Sequence, residues 1–195
     1  RIVIVEGGFH GLYDEMMWKS DVEGWDPASG QAPRIIPFGA GIPAQTQHLV
    51  DFIPLNDDAA LQAVFDAHPG EIAAVLLEPI MGNCGSIAST QAWMQQLRDT
   101  CTDQGALLII DEVKTGFRVA KGGAQALYGI YADLTTYAKA MGNGYPVACF
   151  GGRADVMDVI GAGSEFAESQ IAGSAFGGVV HGGTYTANLV ALSAA

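Results

Sequence analysis

Apolar residues along the chain gather in short unbroken runs, separated by stretches where they recur every three or four positions. The first run, Ile2 to Val5, predicts a buried strand. Asn56 can cap a helix running from Asp57 towards His68, in which Leu61, Val64 and Phe65 share one face and Pro69-Gly70 ends the pattern. Glu71 to Glu78 is apolar throughout its middle, as expected of a strand covered on both faces in a parallel sheet. Thr90 to Gln104 predicts a second helix, with Trp93, Leu97 and Cys101 at four-residue spacing and Gly105 just beyond its end. Ala106 to Asp111 repeats the buried-strand pattern, Val147 to Phe150 is a weaker instance, and a short helix is expected from Ala154 to Ile160. Such alternation predicts an α/β fold on a mostly parallel, doubly wound sheet. Two long stretches, Lys19 to Gln47 and Gly161 to Gly183, break the rhythm and suit lids, substrate loops or interface arms. With no internal repeat and no linker, residues 1–195 read as one domain.

Composition narrows the function. The chain is 49% hydrophobic and 15% charged, so it has the material for a core. Nine Lys+Arg against 21 Asp+Glu give a formal charge of −12, which argues against a nucleic-acid or anionic-membrane surface as the main partner. There is no unbroken apolar run of about twenty residues, and the start carries neither a signal-peptide core nor a cleavage site. Cys84, Cys101 and Cys149 lie far apart without a CxxC, so reduced thiols and a cytoplasmic location are expected. The 26 glycines point to tight loops around a ligand. The chain opens without Met inside a strand-like run and stops in the apolar helical pattern Asn188 to Ala195. It is therefore expected to be a segment of a longer protein, incomplete at both ends.

In open α/β sheets, ligands bind beyond the carboxyl ends of the strands, which directs attention to Glu78 and Asp111, the acids that follow two of the apolar runs. Either acid could instead cap a neighbouring helix. A metal site is not expected, because no His stands at ligand spacing from either and Asp111 and Glu112 should point to opposite faces. Lys139 is one of only nine basic residues and sits among small residues before a glycine turn. A partly buried lysine in such a setting can act as a carbonyl-capturing amine. An enzyme that uses pyridoxal phosphate needs such a lysine, an acid at the pyridine nitrogen and a phosphate cradle. Lys139, Asp111 and the Gly182-Gly183-Thr184 turn are candidates for the three.

Five motifs, in order, carry a resemblance: Phe9-His-Gly11, Glu78-Pro-Ile-Met-Gly-Asn83, Asp111-Glu-Val-Lys-Thr-Gly-Phe-Arg118, Asp133-Leu-Thr-Thr-Tyr-Ala-Lys139 and Gly182-Gly-Thr184. Together they resemble the class III aminotransferases of fold type I, most nearly the glutamate-1-semialdehyde 2,1-aminomutase group, over essentially the whole chain. The resemblance implies the large cofactor-binding domain of such an enzyme. By it, Lys139 matches the Schiff-base lysine and Asp111 the acid that keeps the pyridine nitrogen protonated. Phe9 matches the aromatic on one ring face and Val113 the aliphatic on the other. Asn83 matches a residue beside the phenolic oxygen, Glu78 a supporting acid behind it, and His10 a hydrogen-bonding histidine near the cofactor. Thr184 matches a hydroxyl that reaches the cofactor phosphate of a neighbouring subunit, which implies a homodimer with shared active sites.

The implied activity is amino-group transfer between a small-molecule donor and acceptor, with intramolecular transfer by an aminomutase as the alternative. A non-catalytic phosphate-binding α/β module is more remote, since no GxGxxG or GxxxxGK[ST] follows a strand. Lys114 competes with Lys139 for the cofactor, but it lies three residues from Asp111, whereas the Schiff-base lysine must approach the opposite side of the ring. Lys114 is also a departure, because the aminomutase group usually carries Met there. His48 and His68 are expected at surface or cap positions, and His181 in a loop or an interface.

Overall fold

The computed structural model describes residues 1–29, 31–160, 179 and 181–195. Its elements open with β1 (Ile2–Val5), followed by the short antiparallel pair β2 (Trp18–Ser20) and β3 (Ile35–Pro37), and then β4 (Val50–Ile53). Helix α1 (Asp58–Ala67) leads to β5 (Ala74–Leu77), the two-residue strands β6 (Ile80–Met81) and β7 (Ile87–Ala88), and α2 (Gln91–Gln104). After them come β8 (Leu107–Asp111), α3 (Gly123–Tyr128), β9 (Leu134–Tyr137), β10 (Cys149–Gly152) and α4 (Ala154–Met157). A last described helix spans Leu189–Ala194, with Asn188 accepting the Ala191 N–H at 3.0 Å. The main sheet has the order β10-β9-β8-β5-β1-β4 and is parallel throughout except for β10, which runs antiparallel to β9. This is the α/β, mostly parallel sheet that the alternation predicts.

Strand alternation decides which face is filled. Val3, Val5, Val75, Leu77, Leu108 and Ile110 share a core with Leu61 and Phe65 of α1 and with Trp93, Met94, Leu97 and Cys101 of α2. Each large side chain taken fully from water there is worth about 1.5–3 kcal/mol. Ile4 points the other way and joins Trp18 and Val50 in a smaller cluster. Burial pushes the Cys101 thiol up to about 12, so it behaves as a small apolar side chain. Helix α2 starts and stops where the sequence predicts: Thr90 accepts the Trp93 N–H at 3.2 Å, and Gly105 sits in the left-handed region at φ +70°.

Four expectations need correction. The cap of α1 is Asp57, which accepts the Ala60 N–H at 2.8 Å. Asn56 instead adopts φ +62°, donates to Ala88 O and accepts from Thr90 N, so its side chain ties α1 to the start of α2. The weak strand near Val147 forms two residues later, at Cys149–Gly152, and runs antiparallel as an edge. Two interposed strands, β4 and β9, lie where no strand is expected from the pattern. Leu134-Thr-Thr-Tyr137 lacks a continuous apolar run because Thr135 is satisfied inside by the Gln125 side chain at 3.1 Å. Finally, the stretch Lys19 to Gln47 is not wholly irregular, since it contains part of the β2–β3 pair. Most of Gly161 to Gly183 lies outside the described residues.

Asp133 joins the layers. At 4% exposure it accepts from the Leu108 N–H at 2.7 Å, from Arg98 at 2.8 Å and from Arg153 at 2.9 Å. Burial works to raise its pKa, but the backbone N–H and the two guanidinium groups outweigh that and hold the carboxyl below its ordinary range.

Candidate active site

Because β1, β4, β5, β8 and β9 are parallel, their carboxyl ends share one edge, and the antiparallel β10 enters from that same edge. The chain leaves β1 for β4 on one side and β5 for β8 on the other. Segments that diverge in this way open a crevice at the sheet edge.

The loop after β1 is shaped by glycine. Gly7 has φ +89° and Gly11 φ +111°, and a Cβ at Gly8 would come within 2.5 Å of His10 Nε2. The Phe9 N–H donates to Glu78 Oε1 at 2.9 Å, and the Gly82 N–H donates to Glu78 Oε2 at 3.0 Å. Glu78, buried at 3% exposure, therefore ties the loop after β1 to the loop after β5. Asp111 ends β8 at 6% exposure; its Oδ1 accepts the Val113 N–H at 2.9 Å and its Oδ2 lies 2.8 Å from His10 Nδ1. A carboxylate can only accept, so the partner assigns the ring proton to Nδ1. Among the described residues, His10 Nε2 is buried without a hydrogen-bond partner.

Phe9, His10, Asp111, Val113 and Lys139 line one cleft of about 440 Å³, over a floor that includes Leu76 and Ile109. Tyr13, Thr136 and Phe150 line it too, and the sequence reading singled out none of them. Tyr13 could have been suspected from its place four residues after Phe9 in the same glycine-bounded loop, whereas Thr136 and Phe150 depend on strands whose position or direction the pattern does not reveal. Asn83 lines an adjoining hollow of about 280 Å³ that shares Phe9, His10 and Gly11.

The two lysines separate clearly. Lys139 begins the short turn Lys139–Met141 after β9, at φ +47°. It is exposed and lines the cleft, not partly buried as its small neighbours suggest. Lys114 lies over Gly82 and donates from Nζ to Asn83 Oδ1. Glu112, fully buried next to Asp111, points away from the cleft and accepts from Thr115 Oγ1 and from the Ala124 and Gln125 N–H groups. The described residues hold no cluster of three or more His, Cys, Asp or Glu able to take a metal ion. His68 ends α1, and His181 stands edge-on to Phe150 with 5.0 Å between ring centres. Thr184 is exposed in a turn at 184–187 and does not line the cleft. No described helix is long and apolar enough to cross a membrane.

The profile of the family described as "Aminotransferase class-III" matches residues 1–195. A glutamate-1-semialdehyde 2,1-aminomutase of Methanocella arvoryzae is 38% identical over 194 residues, covering 100% of this chain and 41% of that protein. The chain thus spans about two-fifths of the length of the curated relatives it matches. An ω-transaminase from Sphaerobacter thermophilus superposes with a TM-score of 0.83 at 32% identity, covering 100% of this chain and 42% of its own. A structure described as a transaminase with PLP bound superposes with a TM-score of 0.80 at 29% identity, covering 100% and 41%. With the profile matched from end to end and this sheet beneath it, the chain belongs to the class III aminotransferase family.

Proposed function

We propose that the protein carrying this chain is a pyridoxal-phosphate-dependent enzyme of amino-group transfer, and that residues 1–195 form its cofactor-binding domain. The observation that carries the reading is the convergence of Asp111, His10, Phe9, Val113 and Lys139, drawn from three separate strand ends, on one cleft. The acid fits the group well. A carboxylate has about four lone-pair positions; Asp111 uses one towards Val113 and one towards His10, which leaves capacity for a ring N–H from the cleft. Its burial favours a cationic partner such as a protonated pyridine.

When bound, pyridoxal phosphate supplies a cationic ring that withdraws the electron pair left when a proton leaves the carbon bearing the amino group. Asp111 holds the proton on the ring nitrogen, and His10 keeps Asp111 in place. Phe9 and Val113, which line the same cleft, would pack against the ring. Asn83, in the adjoining hollow, would serve the ring oxygen, and Glu78 supports it by pinning Gly82 and Phe9. Lys139, the amine at the cleft rim, would hold the cofactor's aldehyde group and, once released from it, would serve as the base that carries the substrate's proton. Thr184, outside this cleft, serves the phosphate in a second subunit, so the enzyme works as a homodimer in the cytoplasm on a small-molecule amino donor and acceptor.

Transamination is favoured by the similarity to the ω-transaminase structure. Aminomutation is the second reading, favoured by the identity to named aminomutases along the whole chain. Incubating the full-length protein with amine–keto acid pairs and with an amino semialdehyde separates them: release of a keto product supports the first, and isomerisation without release supports the second. Borohydride reduction of the cofactor-loaded protein followed by peptide mapping should tag Lys139. A tag on Lys114 would overturn the assignment.

A further inference from the structure

Lys114 carries a charge that the mechanism above does not use. It stands three residues beyond Asp111, the last residue of β8, and crosses to the turn between β6 and β7. Its Nζ donates to Asn83 Oδ1. Its stem lies where a Cβ on residue 82 would stand: such an atom would collide with Lys114 Cδ and sit 2.9 Å from Nζ. Glycine at 82 therefore makes room for the lysine, and the Gly82 N–H is itself anchored on buried Glu78 at 3.0 Å.

An ammonium has donors and no acceptor, so it can engage only the oxygen of an amide. That removes the ambiguity of the Asn83 side chain, with Oδ1 towards Lys114 and Nδ2 as the remaining donor. Among the described residues, Nδ2 has no hydrogen-bond partner, and Asn83 lines the hollow that shares Phe9, His10 and Gly11 with the cleft. We infer that Lys114 is a positioning residue: it fixes the Asn83 amide so that its N–H faces the cleft and donates to the ring oxygen of the bound cofactor. The inference rests on the pyridoxal phosphate reading above. An oxygen that receives this N–H carries negative charge more readily, so the bound cofactor changes its ionisation at a lower pH than it would beside a freely turning amide.

The experiment uses the full-length protein loaded with pyridoxal phosphate and reads the pH midpoint at which the visible absorption of the bound cofactor changes. Lys114→Met should raise that midpoint by about one pH unit. Lys114→Gln, which keeps an N–H donor for Asn83 Oδ1, should bring it most of the way back. In an Asn83→Ala background, Lys114→Met should add nothing further. The other ionisable groups around the cleft, Asp111, His10, Tyr13 and Lys139, those of the hollow beside Asn83, Glu6, Lys19 and Cys84, and Glu78 behind Gly82 are common to every variant. An unmoved midpoint in Lys114→Met overturns the inference, as does an equal shift in Met and Gln, which would mean that charge alone matters. A full shift that persists without Asn83 overturns it too. If the unmodified protein takes up no cofactor, the reading of the cleft falls and this inference with it; uptake with an unmoved midpoint sinks the inference alone.

Discussion

The helix-covered side of the sheet and the rim at its carboxyl edge are built from opposite materials. On the covered side, Val5, Leu77, Leu108, Trp93 and Leu97 are almost fully buried and need no partner beyond close packing. On the rim, the buried groups are charged: Asp111, Glu78 and Glu112 sit below 7% exposure, each with several donors, and the backbone is bent by Gly7, Gly11 and the positive φ of Lys139. Packing sets how stable the domain is, and the rim sets what it can bind. The two are joined where a strand of the core ends in a residue of the rim, as at Asp111.

A variant on one side should therefore leave the other side's readout alone. Asp111→Asn is expected to lose roughly a thousandfold in turnover, about 4 kcal/mol of barrier, while the melting temperature barely moves. A large fall in stability with near-normal turnover would break the comparison. Leu97→Ala, at a fully buried position of α2, should cost ~2–5 kcal/mol of stability in denaturant unfolding and leave the turnover of the folded fraction unchanged.

Asp133→Asn tests a charged group within the scaffold itself. Removing a charge that receives two guanidinium groups should cost about 2 kcal/mol at neutral pH. Because the folded carboxyl lies below its ordinary value of 3.8, its contribution is present above that value and is lost as the pH falls through the lower, folded value. Unfolding curves of the variant and the parent should thus converge in strong acid; a gap that stays constant would show that packing, not charge, is responsible.

The smallest effect is expected at Thr184. Thr184→Ala should weaken cofactor retention by about 1.5 kcal/mol, roughly tenfold, without unfolding the protein. In hybrids with Lys139→Ala formed by subunit exchange, the one site that keeps Lys139 should regain the parent's cofactor retention, since one hybrid site carries both lesions and the other neither. Verified hybrids whose retention stays at the Thr184→Ala level would place Thr184's action within its own chain or nowhere.

What the sequence by itself determined is what neighbours along the chain control. Helix α2 is legible from end to end, because its cap at Thr90, its four-residue apolar spacing and the left-handed Gly105 are all local signals. Strands β1, β5 and β8 are legible for the same reason, and with them the positions of Glu78 and Asp111 at strand ends. Tertiary structure alone decided the rest. Strand β9 became a sheet member because a side chain from α3 satisfies its threonine, and β10 turned antiparallel at the sheet edge. Asn56 gave up its cap to reach Thr90, 34 residues away. The partnership of His10 with Asp111 spans 101 residues, and the engagement of Lys114 with Asn83, 31 residues away, depends on how two loops cross. Backbone propensity and periodicity act over a few residues, whereas a site is made by strand ends brought together through the order of the sheet.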